Sequence, residues 1–262
     1  MNENLIYVLA KVQFGRITES RFKERADAVQ EALRKDYPIV NSNNTFTTIH
    51  FDVANPGDKQ VQQSTENIIN ICSSNREWGI RISHSFLILH TKSYAGFEEF
   101  KRRIASILRI LEKEFELYHS AFVGFRFVNK YPYDGQDDFT KVFRKKEFIQ
   151  PSLELDGALK AGSNLAAHYV SNKNNILINS GVSIGGPKIP VDFADLPSDL
   201  GLKAGEIHEG VWAHLDIDSF YSEADVFNDF SVDEIMQKYG VLRKLANDAF
   251  AQIVFANQAE LG

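Results

Sequence analysis

Residues 96–118 constrain the fold most. Phe97, Phe100, Ile104, Ile107, Leu108, Leu111 and Phe115 form one continuous apolar stripe at helical spacing, opposed by Glu98, Lys101, Arg102, Arg109, Glu112 and Lys113. A stripe of that width is predicted to pack on a sheet, and the segment that follows supplies a strand. In Phe122-Val-Gly-Phe-Arg-Phe-Val-Asn-Lys-Tyr131 an apolar run carries a glycine, an arginine and an asparagine that packing alone does not require. Alternation puts Phe125, Phe127 and Asn129 on one face and Gly124, Arg126 and Val128 on the other.

Around this pair the chain reads as strands and helices in succession. Residues 5–14 are rich in Val, Ile, Tyr and Phe and predict a strand ending at Gly15. A helix follows, capped by Thr18 or Ser20, with Phe22, Ala26, Val29 and Leu33 inward and Tyr37-Pro38 as its stop. Residues 45–53 alternate as a strand, Asn55-Pro-Gly-Asp58 is turn chemistry, and 59–74 reads as a loop or short helix. Residues 78–82 and 85–91 predict two strands. Residues 131–138, with a proline and a glycine among three aspartates, mark the best boundary between halves of 1–131 and 132–262, which one continuous domain would also accommodate. In the second half, 148–161 predicts a short helix or irregular chain, 166–171 and 175–184 two strands joined by an asparagine-rich turn, 185–205 a loop, and 211–221 a strand. Ser231 and Glu234 form a capping box for a final helix over 232–257. The expected fold class is α+β: mostly antiparallel sheet with long amphipathic helices on one face, in two similar-looking halves.

Composition bounds the function. The chain has 262 residues, and 35 carboxylates outnumber 29 basic groups, so general attraction to phosphate backbones is not expected. The single cysteine, Cys72, excludes an internal disulfide and fits a reducing compartment; it reads as a half-buried spacer thiol. The first ten residues resemble a strand and no secretory signal, and no apolar stretch reaches the length of a membrane span, so a cytoplasmic protein is expected.

Several constellations bear on chemistry. Trp212-Ala-His-Leu-Asp-Ile-Asp218 places His214, Asp216 and Asp218 on one strand face, where they would hold a divalent cation or divide acid and base roles; the same pattern suits a solvated outer face. His50 with Asp52, and His84 with His90, suggest the same sharing of a face, and His208 reads as hairpin-loop surface. The Gly181-Val-Ser-Ile-Gly-Gly-Pro run lacks the helix and Lys-Ser or Lys-Thr of a phosphate loop. Lys141, Arg144, Lys145 and Lys146, interleaved with Phe139, Phe143 and Phe148, form a basic patch that would contact nucleic acid or simply be solvated. Arg126 in its apolar strand requires a carboxylate or carbonyl partner, so it is either a fastener between layers or an anchor for a ligand.

Four segments together resemble a sporadically distributed bacterial family of uncharacterised proteins: Tyr37-Pro38 at a helix end, Tyr94-Ala-Gly-Phe-Glu-Glu-Phe100, Gly124-Phe-Arg-Phe-Val-Asn129, and Leu215-Asp-Ile-Asp218 followed by the 242–250 helix. The chain departs from that pattern at Phe97, where a tryptophan is usual, and at Arg243, where a histidine is expected. The resemblance implies a bacterial cytoplasmic protein encoded near mobile or defence genes and brings no activity or cofactor. The expectation is therefore a noncatalytic binding or interaction scaffold with a protein partner or a second copy of itself, no cofactor and no catalytic residue. Its candidate ligand or structural residues are Gly124, Arg126 and Asn129. The rival expectation is a metal-dependent enzyme acting on a nucleotide or nucleic acid.

Overall fold

Strand β1 (Leu5–Phe14) sits near the middle of the sheet because both of its faces are used: Val8, Ala10 and Val12 are buried on one side and Tyr7 on the other. A computed structural model describes residues 4–42, 45–51, 61–133, 139–149, 156–157, 162–193, 195–203, 206–223 and 226–255. After β1 come α1 (Glu19–Leu33), β2 (Ile39–Val40), β3 (Thr45–Phe51), β4 (Val61–Asn67), β5 (Ile69–Cys72), β6 (Trp78–Ile82), β7 (Phe86–Thr91), α2 (Phe97–Phe115) and β8 (His119–Pro132). The second half contributes β9 (Ser163–Ser171), β10 (Asn174–Ile184), α3 (Leu196–Asp199), β11 (Val211–Ser222), β12 (Asn228–Asp229) and α4 (Val232–Ile253).

Ten strands form one antiparallel sheet in the order β2-β5-β6-β7-β1-β8-β11-β10-β9, with β12 added to the start of β8; β3 and β4 form a separate hairpin. First- and second-half strands join at β8, which pairs with β11 from Trp212 opposite Pro132 to Ser222 opposite Phe122 and with β12 at its start. The α+β class and antiparallel sheet therefore agree with expectation. The segment 59–74 does not: its described part holds β4 and β5, where Ile69 and Ile71 are buried. Its polar composition hid β4, whose residues alternate polar with polar. The loop at 185–205 also holds a short 3-10 turn (Val191–Phe193) and α3.

Helices α1, α2 and α4 share one core with the strands. Phe22 stacks on Phe115 at 5.4 Å, Phe100 lies 5.0 Å from Phe125, and Tyr239 meets the same Phe125 edge-on. Thr18 caps α1 by accepting from the Arg21 amide, and Ser231 caps α4 by accepting from the Glu234 amide. The opposite sheet face is covered near its centre by the 187–203 segment, whose Phe193, Leu196 and Leu200 join Tyr7, Ile88 and Val128 in a second, smaller core. That segment is a strap, and it positions the candidate site. No helix among the described residues is long and apolar enough to cross a membrane.

Candidate functional site beneath the strap

Strand alternation decides which side chains meet under the strap. On β8 it turns Gly124, Arg126, Val128 and Lys130 toward the strap face; on β11, paired beside it, His214, Asp216 and Asp218 turn the same way. Directly opposite Arg126 is Asp218, yet the guanidinium reaches diagonally to Asp216, with Nε 2.8 Å from Oδ1 and Nη2 2.5 Å from Oδ2. Its outer edge donates to Asp192 of the strap, at 2.5 Å from Nη1 and 3.2 Å from Nη2, and its plane lies 4.6 Å over the Phe193 ring. Two bidentate carboxylates thus occupy a cation whose side chain is only 12% exposed. Burial works to lower the Arg126 pKa, but the bonds from Asp216 and then Asp192 outweigh it and hold the guanidinium charged.

The neighbouring groups are shifted by the same burial. Asp218, which has no hydrogen-bond partner among the described residues, is pushed up to about 6 by desolvation against the pull of Arg126. His214 is pushed down to about 4 by desolvation and by Lys130. Burial lowers Lys130 as well, and its ammonium donates to the Pro187 carbonyl at 3.0 Å. Between the strap and β8, β10 and β11 lies a cavity of ≈310 Å³, lined by Arg126, Lys130, Asn164, Asn179, Asp192, His214 and Asp216. A larger groove of ≈600 Å³ runs on the other side of the strap, where His208 stacks on Trp212 at 3.9 Å. His208 is itself buried, at 8% exposure.

A second clamp, which no sequence expectation anticipates, holds the far end of the strap. Arg81 of β6, 0% exposed, donates from Nε to Asp199 Oδ2 at 2.5 Å and from Nη2 to Oδ1 at 2.9 Å, and also pairs with Asp195. Asn70 donates to the same Asp199, His90 Nε2 lies 3.6 Å from it, and the Tyr7 hydroxyl is 2.7 Å from His90 Nδ1. The signal was present: Trp78-Gly-Ile-Arg-Ile82 holds a cation in an apolar strand, as the Arg126 strand does. The acidic partners lay in a segment read only as loop.

The other candidates disperse. Asn129 faces the helix-side core, 0% exposed, and donates to the Leu215 carbonyl at 3.3 Å. Gly124 leaves room for the Phe122 ring, which a β-carbon there would meet at 2.7 Å. Lys141, Arg144, Lys145 and Lys146 are exposed, while Phe139 and Phe143 are buried in the core and are not presented for stacking on bases. His84 sits in the turn after β6, where it meets Glu66 at 3.0 Å, and does not share a strand with His90. The His50 and Asp52 pairing lies outside the described residues. Cys72 is fully buried, more than the expected half, and desolvation raises its pKa, which suits a spacer. Among the described residues no three His, Cys, Asp or Glu side chains are grouped so as to hold a metal ion. The Arg243 guanidinium lies 4.8 Å over the Phe97 ring.

Comparison with protein-family models finds no match, and none is found among curated proteins.

Proposed function

We propose that this chain is a noncatalytic binding or protein-interaction scaffold, an α+β body whose long amphipathic helices brace one sheet face in two similar-looking halves and whose partner is a protein or a second copy of itself. The observation that carries this reading is the saturation of Arg126 by Asp216 and Asp192. A guanidinium with both edges occupied has no fork left for a substrate phosphate, and the carboxylate that would ligate a metal is spent on it. The family resemblance adds the expectation of a bacterial, cytoplasmic setting near mobile or defence genes.

One observation favours the metal-dependent enzyme acting on a nucleotide or nucleic acid: the ≈310 Å³ cavity does border Arg126 and Asp216, with the raised, unpaired Asp218 on the same strand face. Calorimetric titration with Mg²⁺ and Mn²⁺, combined with a phosphate-release assay on nucleoside triphosphates, separates the two. The scaffold reading expects no saturable metal heat and no turnover. Saturable heat and turnover that both vanish in Asp218→Asn, a variant that breaks no ion pair, would establish the enzyme instead.

A further inference from the structure

The sheet ends very differently on its two sides. One edge is β2, two residues long; the other is β9, nine residues, which among the described residues pairs with β10 alone. Edge strands of that length ordinarily carry lysine, proline or a bulge to prevent further pairing. Ser163-Asn-Leu-Ala-Ala-His-Tyr-Val-Ser171 has no proline and no Asp, Glu, Lys or Arg, and its register with β10 runs unbroken from Val182 opposite Ser163 to Asn174 opposite Ser171.

That register fixes which backbone groups are free. The two-residue turn at Asn172 and Lys173, with Asn172 at φ 57°, closes on Ser171 and Asn174 as a hydrogen-bonded pair. Counting back by twos, the odd residues of β9 bond to β10, and Asn164, Ala166, His168 and Val170 direct their amides and carbonyls outward. All four are exposed.

We propose that β9 pairs antiparallel with β9 of a second copy across a two-fold axis through Ala167, joining two sheets into one. This deepens the interaction-scaffold reading and rests on it. The register that uses the whole strand sets Ser163 opposite the second copy's Ser171, Asn164 opposite Val170, Leu165 opposite Tyr169 and Ala166 opposite His168. It matches outward-facing residues with outward-facing residues, brings no like charges together at neutral pH and sets the two His168 rings diagonally rather than directly opposite each other. Tyr169, 55% exposed, borders an apolar groove of ≈450 Å³ between β10 and α4, and pairing lays it beside Leu165 of the other copy on that same face.

Sedimentation equilibrium of the full chain tests this together with two variants. The wild type sediments as two chains. Ala166→Pro, which removes an outward amide without touching the β10 ladder, sediments as one chain with an unchanged melting midpoint. Ala167→Cys gives a disulfide-linked dimer with oxidised glutathione, whereas Asn164→Cys, far from its own counterpart in this register, does not. A wild type that stays monomeric at high-micromolar concentration overturns the pairing, as does a dimer indifferent to Ala166→Pro with no Ala167→Cys link. A monomer without metal heat or turnover would overturn this pairing alone; turnover would overturn the scaffold reading whatever the mass.

Discussion

Arg126 on β8 and Asp216 on β11 face each other diagonally across two neighbouring strands, joined by two hydrogen bonds of 2.8 and 2.5 Å. The diagonal leaves Asp218, which is directly opposite, without that partner. Asp192 on the outer side of the guanidinium extends the same contact to the strap, so one cation ties β8, β11 and the strap together.

The two carboxylates on Arg126 differ in burial and should differ in worth. Asp192 is 58% exposed and Asp216 4%. Asp192→Ala is expected to cost about 1 kcal/mol or less, as for a screened surface pair. Asp216→Ala leaves the buried edge of the guanidinium unpaired, with only the exposed Asp192 remaining on it, and is expected to cost about 3 kcal/mol, both read by urea denaturation.

The Arg81 clamp should hold the other end of the strap. Asp199→Asn keeps volume but removes the charge facing Arg81, and a loss of about 3 kcal/mol is expected. Hydrogen exchange should show faster exchange at 196–202 with β1 and β8 still protected. Desolvation raises Asp199, but the nearby His90 imidazole and the bonds from Arg81 and Asn70 outweigh it and leave its pKa depressed. Its contribution is therefore present above the ordinary aspartate value of 3.8 and is lost as pH falls below it.

Asp218 and His214 give opposite pH signatures. The folded pKa of Asp218, about 6, lies above its ordinary 3.8, so the native state holds the extra proton between those values; the benefit is present below 3.8 and lost as pH rises through 6. Asp218→Asn should consequently stabilise by about 1 kcal/mol at pH 8, after allowance for partial exposure, and be near neutral at pH 4. His214, depressed to about 4 from 6.5, stabilises the fold above 6.5 only in its neutral form, and that contribution fades as pH falls toward 4. His214→Gln should flatten the acid limb of the stability profile.

Gly181 tests how β9 is held. A β-carbon there would stand 2.0 Å from the Ser163 carbonyl oxygen, a backbone atom that cannot swing aside. Gly181→Ala is expected to cost about 2 kcal/mol and to loosen β9 from β10 in hydrogen exchange, with α2 and α4 unaffected.

Regular periodicity made much of this architecture legible in the sequence. The strand at 5–14, the helix stripe from Phe97 to Phe115 and the Ser231 cap stand where spacing and capping chemistry put them, because each is decided by neighbours within a turn or two. Strand β4 escaped because Val61-Gln-Gln-Ser-Thr-Glu-Asn67 carries no apolar alternation, and pairing with β3 decides its state. Arg126 could be flagged as needing a partner, and Asp216 as facing the same way, but their diagonal bond depends on strand register, and Asp192 depends on the path of a loop across the sheet. The Arg81 clamp required the same long-range information, with its partners more than a hundred residues away.

A double-mutant cycle on Arg126→Met and Asp216→Leu, followed by urea denaturation, tests the fastening role most directly. Each single variant should lose about 3 kcal/mol or more, and the double variant should recover most of that loss, because an apolar pair replaces a buried ion pair without stranding a charge. Additive effects, or an Arg126→Met protein as stable as the wild type that has lost a metal- or nucleotide-dependent activity, would contradict the account and make Arg126 a grip on substrate.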